Sequence, residues 1–196
     1  YLAHRPLRVF SMTLPAHEHN LSPHDAIGAW AEEFASGIDP LAPFFDAFET
    51  ALSFVIQEGL SIPGRIAVGG LSRGGLIAIH AIGRSEALSS LFAFAPMTSL
   101  QGAREFAHLQ SNSLVATYDA ASQAKNIGNR PVWIHMGLSD TRVSADDAFD
   151  FAKTLAARGN KHVEIHFIPS IGHMGHGTSP ETFAKGAEWI SAMLKA

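Results

Sequence analysis

Short apolar, β-branched runs alternate with stretches of helical periodicity along the chain, and this alternation constrains the fold more than any other feature. Arg8–Leu14, Arg65–Gly70, Leu91–Ala95, Pro131–Met136 and Val163–Ile168 read as strands. Helical stretches separate them. Ser22-Pro23-His24-Asp25 has the form of a capping box with proline at the first helical position, and predicts a helix through Phe34. Asp39-Pro40 repeats the start signal, and Phe44, Phe48, Leu52 and Val55/Ile56 recur at helical spacing until Gly59. Further helices are predicted from Gly74 to Ile82, from the Ser144 cap to about Arg158, and from Ser179-Pro180 onward with Phe183, Ala187, Ile190 and Leu194 on one face. Residues 97–130 are polar and mixed, and predict one or two helices with a loop as a short cap-like insertion. Parallel strands need crossovers, so five strands divided by helices imply an α/β fold with a doubly wound, mostly parallel sheet. In such sheets sites gather at the carboxyl ends of the strands.

With 196 residues, 46% hydrophobic and 16% charged, the chain suits one domain with a sizeable core. The net charge of −4, with no run of Lys or Arg, disfavours nucleic acid and anionic membrane as partners. No apolar run approaches the ~20 residues of a membrane span. There are no cysteines, which excludes disulfides, thiolate metal sites and a cysteine nucleophile. Nothing calls for a cofactor. His17, His19 and His24 could suggest a metal, but without Cys or regular helical spacing they read better as an exposed loop. His135 and His166 fall within strands and read as packed, hydrogen-bonded histidines.

Gly70-Leu71-Ser72-Arg73-Gly74-Gly75 carries the sharpest chemical signal. It matches G-x-S-x-G between a buried strand and a helix, where so tight a reversal strains the serine backbone and lifts its hydroxyl clear of the sheet. The flanking glycines leave the neighbouring strand and helix room, and the N–H of Arg73 points to where an oxyanion would form. A phosphate cradle is the alternative, but the Lys and Ser/Thr of a P-loop are absent. An acid and a histidine should follow in that order. Asp140 lies just past the strand ending at Met136, and His173 just past the strand ending at Ile168, both on the edge that carries Ser72. A histidine can take the serine proton and return it to the leaving group, while a buried carboxylate fixes its tautomer. Asp146 and Asp147 are alternatives to Asp140 but look like first-turn residues of a capped helix. His176, in the same glycine-rich loop, competes with His173. Arg73 could meet an anionic substrate group or pair with a nearby carboxylate, and the pairing is favoured.

These residues resemble the α/β-hydrolases, in the branch of dienelactone hydrolases and prolyl-oligopeptidase-type catalytic domains. The resemblance rests on Ser72-Arg73-Gly74-Gly75, Ala95-Pro96, the acid turn Gly137-Leu138-Ser139-Asp140-Thr141-Arg142-Val143, and Gly172-His173, and it covers most of the chain from Val9. It implies a serine hydrolase with Ser72, Asp140 and His173 as catalytic residues. Dienelactone hydrolases proper use cysteine at the Ser72 position, and Leu14-Pro15-Ala16-His17-Glu18 matches the corresponding turn of relatives only loosely. Oligopeptidase-type peptidases carry an extra domain, so a small acyl substrate, such as a carboxylic ester, is expected over a peptide. A non-catalytic binding or regulatory member of the fold is the rival from another class. The chain opens on Tyr1 rather than Met. If Arg8–Leu14 is the fold's fourth strand, the second oxyanion donor and further strands are expected upstream of these residues.

Overall fold

A computed structural model describes residues 1–17, 22 and 25–195. Four strands, β1 (Ile66–Leu71), β2 (Leu88–Phe94), β3 (Val132–Gly137) and β4 (Val163–Ile168), form one sheet in the order β1-β2-β3-β4. Every neighbouring pair is parallel, with Leu71 opposite Phe94, Phe94 opposite His135 and Gly137 opposite Ile168. All four carboxyl ends therefore meet along one edge.

The helices are α1 (Ala26–Ala35), α2 (Ala42–Gln57), α3 (Arg73–Arg84), α4 (Ser113–Ala116), α5 (Ala124–Ile127), α6 (Ala145–Ala157) and α7 (Pro180–Met193). Gly75 to Ile82 of α3 is buried without a break, because the helix lies against β1 and β2 on one side and α5 on another. A helix apolar on all sides is stable only when so enclosed. Leu76, Ile79 and Ile82 join Trp30, Phe34, Phe45, Leu91, Val132 and Ile134 in the main core. Helix α7 lies against β2, close enough that a Cβ on Gly186 would stand 2.5 Å from the Phe94 ring. Since Val132 and Ile134 join the core while Trp133 lies beneath Gly186, helices cover both sheet faces.

Residues 97–130 form two 3-10 segments, Arg104–Leu109 and Ala120–Gln123, besides α4 and α5. Their Phe106, Leu109, Val115 and Tyr118 are buried in the main core. The expected strand Arg8–Leu14 is not formed. The segment has no sheet partner among the described residues, and residues 8–13 are exposed. Val9, Phe10 and Met12 favour extended backbone, but a strand exists only where another strand takes its hydrogen bonds. The capping box at Ser22–Asp25 includes Pro23 and His24, which lie outside the described residues, and α1 opens at Ala26. No helix among the described residues is long and apolar enough to cross a membrane.

Candidate active site

Between the end of β1 at Leu71 and the start of α3 at Arg73 stands a single residue, Ser72. The chain reverses there with φ 55° and ψ −116°, a conformation that non-glycine residues rarely adopt. Such strain persists only where the surroundings over-determine it. Here the Ser72 N–H donates to the Phe94 carbonyl at 2.9 Å, and the Ser72 carbonyl accepts from Gly75, Leu76 and Met97 at 2.9, 3.3 and 3.1 Å. Gly70 is required because a Cβ there would run into the Gly74 backbone, and Gly75 because its Cβ would stand 2.7 Å from Pro96 Cβ. Space around Gly74 is open, so its own lack of a side chain is not what permits the reversal. Ala95, in the Ala95-Pro96 pair after β2, is itself at φ 38°.

Asp140 sits in the loop after β3 with its side chain fully buried. Its Oδ1 accepts the N–H groups of Arg142 at 2.8 Å and Val143 at 3.0 Å. Its Oδ2 lies 2.7 Å from His176 Nδ1. Burial alone would raise the carboxyl pKa, but the His176 hydrogen bond, the two backbone N–H groups and the His176 charge outweigh it and hold Asp140 below its ordinary value. An ionised carboxylate only accepts, so Nδ1 of His176 must donate, which leaves the Nε2 lone pair of the neutral ring available as a base. Asp146 and Asp147 lie in the first turn of α6, where the Ser144 hydroxyl caps Asp147 N at 3.0 Å.

The histidine that meets Asp140 is therefore His176 and not His173. His173 is exposed and opens a 3-10 turn, His173–Gly175. Three successive departures to positive φ, at Gly172 (74°), Met174 (55°) and Gly175 (74°), fold the loop back on itself and bring the second histidine to the acid. The readable signal was Gly175-His176-Gly177, which repeats the glycine–histidine pattern three residues on. Gly175 itself sits where a Cβ would come within 2.6 Å of the Ser139 carbonyl. Among the described residues, no hydrogen bond joins the Ser72 hydroxyl to His176. Such bonds are often long in unliganded sites.

Around this group lie other charges. The Arg73 guanidinium stacks over Trp30 at 5.8 Å. Burial, with help from the Arg142 charge, lowers its pKa, while Glu105 opposes the shift. Glu105 is hydrogen-bonded to Arg142 Nη1 at 2.9 and 3.1 Å, so it acts on Arg73 through its field. The strand histidines differ from each other. His135 is buried, stacked on Trp133 and 3.3 Å from the Thr182 hydroxyl, and burial, then the charges of His166 and Lys185, lower its pKa to about 4. His166 is exposed, contrary to the packed reading, because β4 is an edge strand whose alternate residues face outward. Of the N-terminal histidine trio, His19 and His24 lie outside the described residues, and His17 Nδ1 is bonded to the Pro15 carbonyl at 3.0 Å.

A parallel sheet with a strained serine at a strand-to-helix reversal and a carboxylate–histidine pair on the same edge is that of an α/β-hydrolase. The family model of the prolyl oligopeptidase family matches residues 43–196. The chain belongs to that family. Among solved structures, an acylaminoacyl peptidase in complex with Z-Gly-Gly-Phe-chloromethyl ketone is similar at 18% identity and a TM-score of 0.66, covering 93% of this chain and 31% of that one. Pyrococcus horikoshii acylaminoacyl peptidase matches at 18% identity and 0.64, covering 92% and 31%. A Mycobacterium tuberculosis puromycin-hydrolyzing peptidase matches at 20% and 0.53, covering 74% and 23%. The chain thus spans less than a third of the length of these structures. No curated protein matches it.

Proposed function

We propose that this chain carries the catalytic residues of a hydrolase that cleaves carboxylic esters or related small acyl compounds through an acyl-enzyme on Ser72. The observation that carries the reading is the Ser72 backbone, held at φ 55° by four hydrogen bonds at the strand-to-helix reversal. No ordinary turn needs a non-glycine residue there, whereas a serine presented for attack does. His176 Nε2 takes the hydroxyl proton as Ser72 Oγ bonds to the carbonyl carbon, and gives it to the leaving group as the tetrahedral adduct collapses. Water repeats the sequence and frees the acid. Asp140 fixes the Nδ1–H tautomer and balances the imidazolium charge. The amide of Arg73 opens α3, at the positive end of the helix dipole, and serves as one oxyanion donor.

Apolar substrate contact is supported by Leu71, Leu138, Ile171 and Met174. All four are exposed on the elements that carry Ser72, Asp140 and His176. A peptide-cleaving activity is the second reading, favoured by the likeness to acylaminoacyl peptidases. Labelling with a fluorophosphonate, followed by parallel assays on p-nitrophenyl esters and on acylated amino-acid p-nitroanilides, tests both. The Ser72→Ala variant should lose labelling and about 10⁴-fold or more in turnover while staying folded. Labelling that survives in that variant refutes the assignment, and amide turnover that matches ester turnover selects the peptidase.

A further inference from the structure

Asp140 and His176 belong to loops that leave different strands, and the two loops are fastened to each other at points outside that pair. The N–H of Ser139 donates to the Ser170 hydroxyl at 2.7 Å. Thr141 donates twice to the Met174 carbonyl, from its N–H at 2.9 Å and from its hydroxyl at 3.1 Å. The loops approach so closely that two glycines are needed. A Cβ on Gly137 would stand 2.7 Å from Ser170 Oγ and 2.9 Å from the Gly175 carbonyl, and one on Gly175 would stand 3.2 Å from Asp140 Cα.

Both fastenings hold the stretch of loop that leads into His176. Ser170 precedes it in the loop, and Met174 lies two residues before it at φ 55°, an uncommon angle for a non-glycine residue. An imidazole can meet a carboxylate only if its own Cα is correctly placed, and one hydrogen bond from the ring does not fix that position. We propose that Thr141 and Ser170 are positioning residues that clamp the histidine loop to the acid loop and thereby hold His176 against Asp140. The kinetic consequence rests on the hydrolase reading above, whereas the geometric one does not.

The test is the double variant Thr141→Val with Ser170→Ala, which removes both side-chain fastenings and leaves Asp140, His176 and Ser72 untouched. The expected result is a fall in kcat on p-nitrophenyl acetate of about tenfold, with KM within about twofold, because a small misplacement of a catalytic group acts on the chemical step. In proton NMR, the downfield Nδ1–H resonance of His176, identified by its loss in His176→Asn, should broaden or vanish. Thr141→Ser, which keeps the hydroxyl, should retain both kcat and the resonance. A folded double variant with an unchanged resonance and unchanged kcat overturns the proposal. Should the double variant fail to fold, the single variants are read the same way, and an unchanged resonance in both overturns it equally. If the unaltered protein neither hydrolyses the ester nor takes a fluorophosphonate, the hydrolase reading fails and the resonance alone decides the clamp.

Discussion

Replacing Asp140 by Asn changes little in shape and should nevertheless remove nearly all activity. The carboxylate accepts three hydrogen bonds, two on Oδ1 from the Arg142 and Val143 amides and one on Oδ2 from His176 Nδ1. In the Asp140→Asn variant the amide oxygen takes the Oδ1 place, since only an acceptor satisfies two N–H groups. The NH2 group then faces His176 Nδ1, which must accept. The ring proton moves to Nε2, and the ring no longer offers there the lone pair that the proposed base needs. In a serine protease of another fold the same wrong-tautomer change costs about 10⁴ in kcat. A loss of about 10³–10⁴, roughly 4–5.5 kcal/mol of barrier, is expected here. Stability should fall much less, by about 1–2 kcal/mol, because both backbone bonds survive with a neutral acceptor. Ester hydrolysis, fluorophosphonate labelling rate and urea unfolding measure the two effects separately. The pH dependence adds a sign. The native pKa of Asp140 lies below the ordinary value of 3.8, so its stabilisation is present above 3.8 and is lost as pH falls from there through the native value. The variant should lack that segment of the acid unfolding curve. Retention of more than about a tenth of kcat by a folded Asp140→Asn protein would refute the reasoning.

Three further outcomes follow from the same geometry. His176→Ala should lose about 10³-fold or more in turnover, while His173→Ala, at an exposed position, should stay within about twofold on the same ester; the reverse ranking would return the role to His173. Gly75→Ala should destabilise by about 1–3 kcal/mol in urea unfolding, since its Cβ would stand 2.7 Å from Pro96 Cβ and 2.9 Å from Pro96 Cα. An unchanged midpoint would show that the reversal has slack. His80 is 1% exposed, its Nε2 has no hydrogen-bond partner among the described residues, and burial first lowers its pKa to about 4. Its native form is neutral between about 6.5 and 4 while the unfolded chain takes up a proton, so it contributes stability above 6.5 that is lost as pH falls toward 4. His80→Phe should flatten the stability curve across that window by up to about 1.4 kcal/mol per pH unit, and an unaltered slope would rule His80 out as its source.

Most of the fold was legible in the sequence because its signals are local. The Ser144 and Ser179 caps open α6 and α7 as read, with the serine oxygens accepting from Asp147 and Thr182 three residues on. Strands β1, β2, β3 and β4 fall within a few residues of their apolar runs, which are long enough for a sheet and too short for a helix. Arg8–Leu14 fails for a non-local reason. Val9, Phe10 and Met12 give it the composition of a strand, yet they stand exposed, because pairing depends on a neighbour that no local pattern supplies. The stretch 97–130 was harder still. Its short turns take their positions from apolar anchors such as Phe106 and Tyr118 entering a core built by other elements, and the Tyr118 hydroxyl donates to Asp39 at 2.8 Å across a gap no periodicity records.

The site divides along the same line. The sheet-edge positions of Ser72 and Asp140 could be read from sequence because each sits a short distance past a strand, where chain direction alone delivers it to that edge. His173 and His176 share a loop whose course is set by dihedral angles, and only the turns at Gly172, Met174 and Gly175 decide which imidazole arrives. A glycine signals that positive φ is permitted, not that it is used. Met174 carries no such signal at all, since a methionine at φ 55° is disfavoured wherever its neighbours do not impose it. Here the neighbour is Thr141, two bonds from which hold the Met174 carbonyl, and Thr141 follows Asp140 directly in the chain. The course of the histidine loop is thus tied to the acid loop by a contact between residues 33 apart in the chain, which no local pattern records.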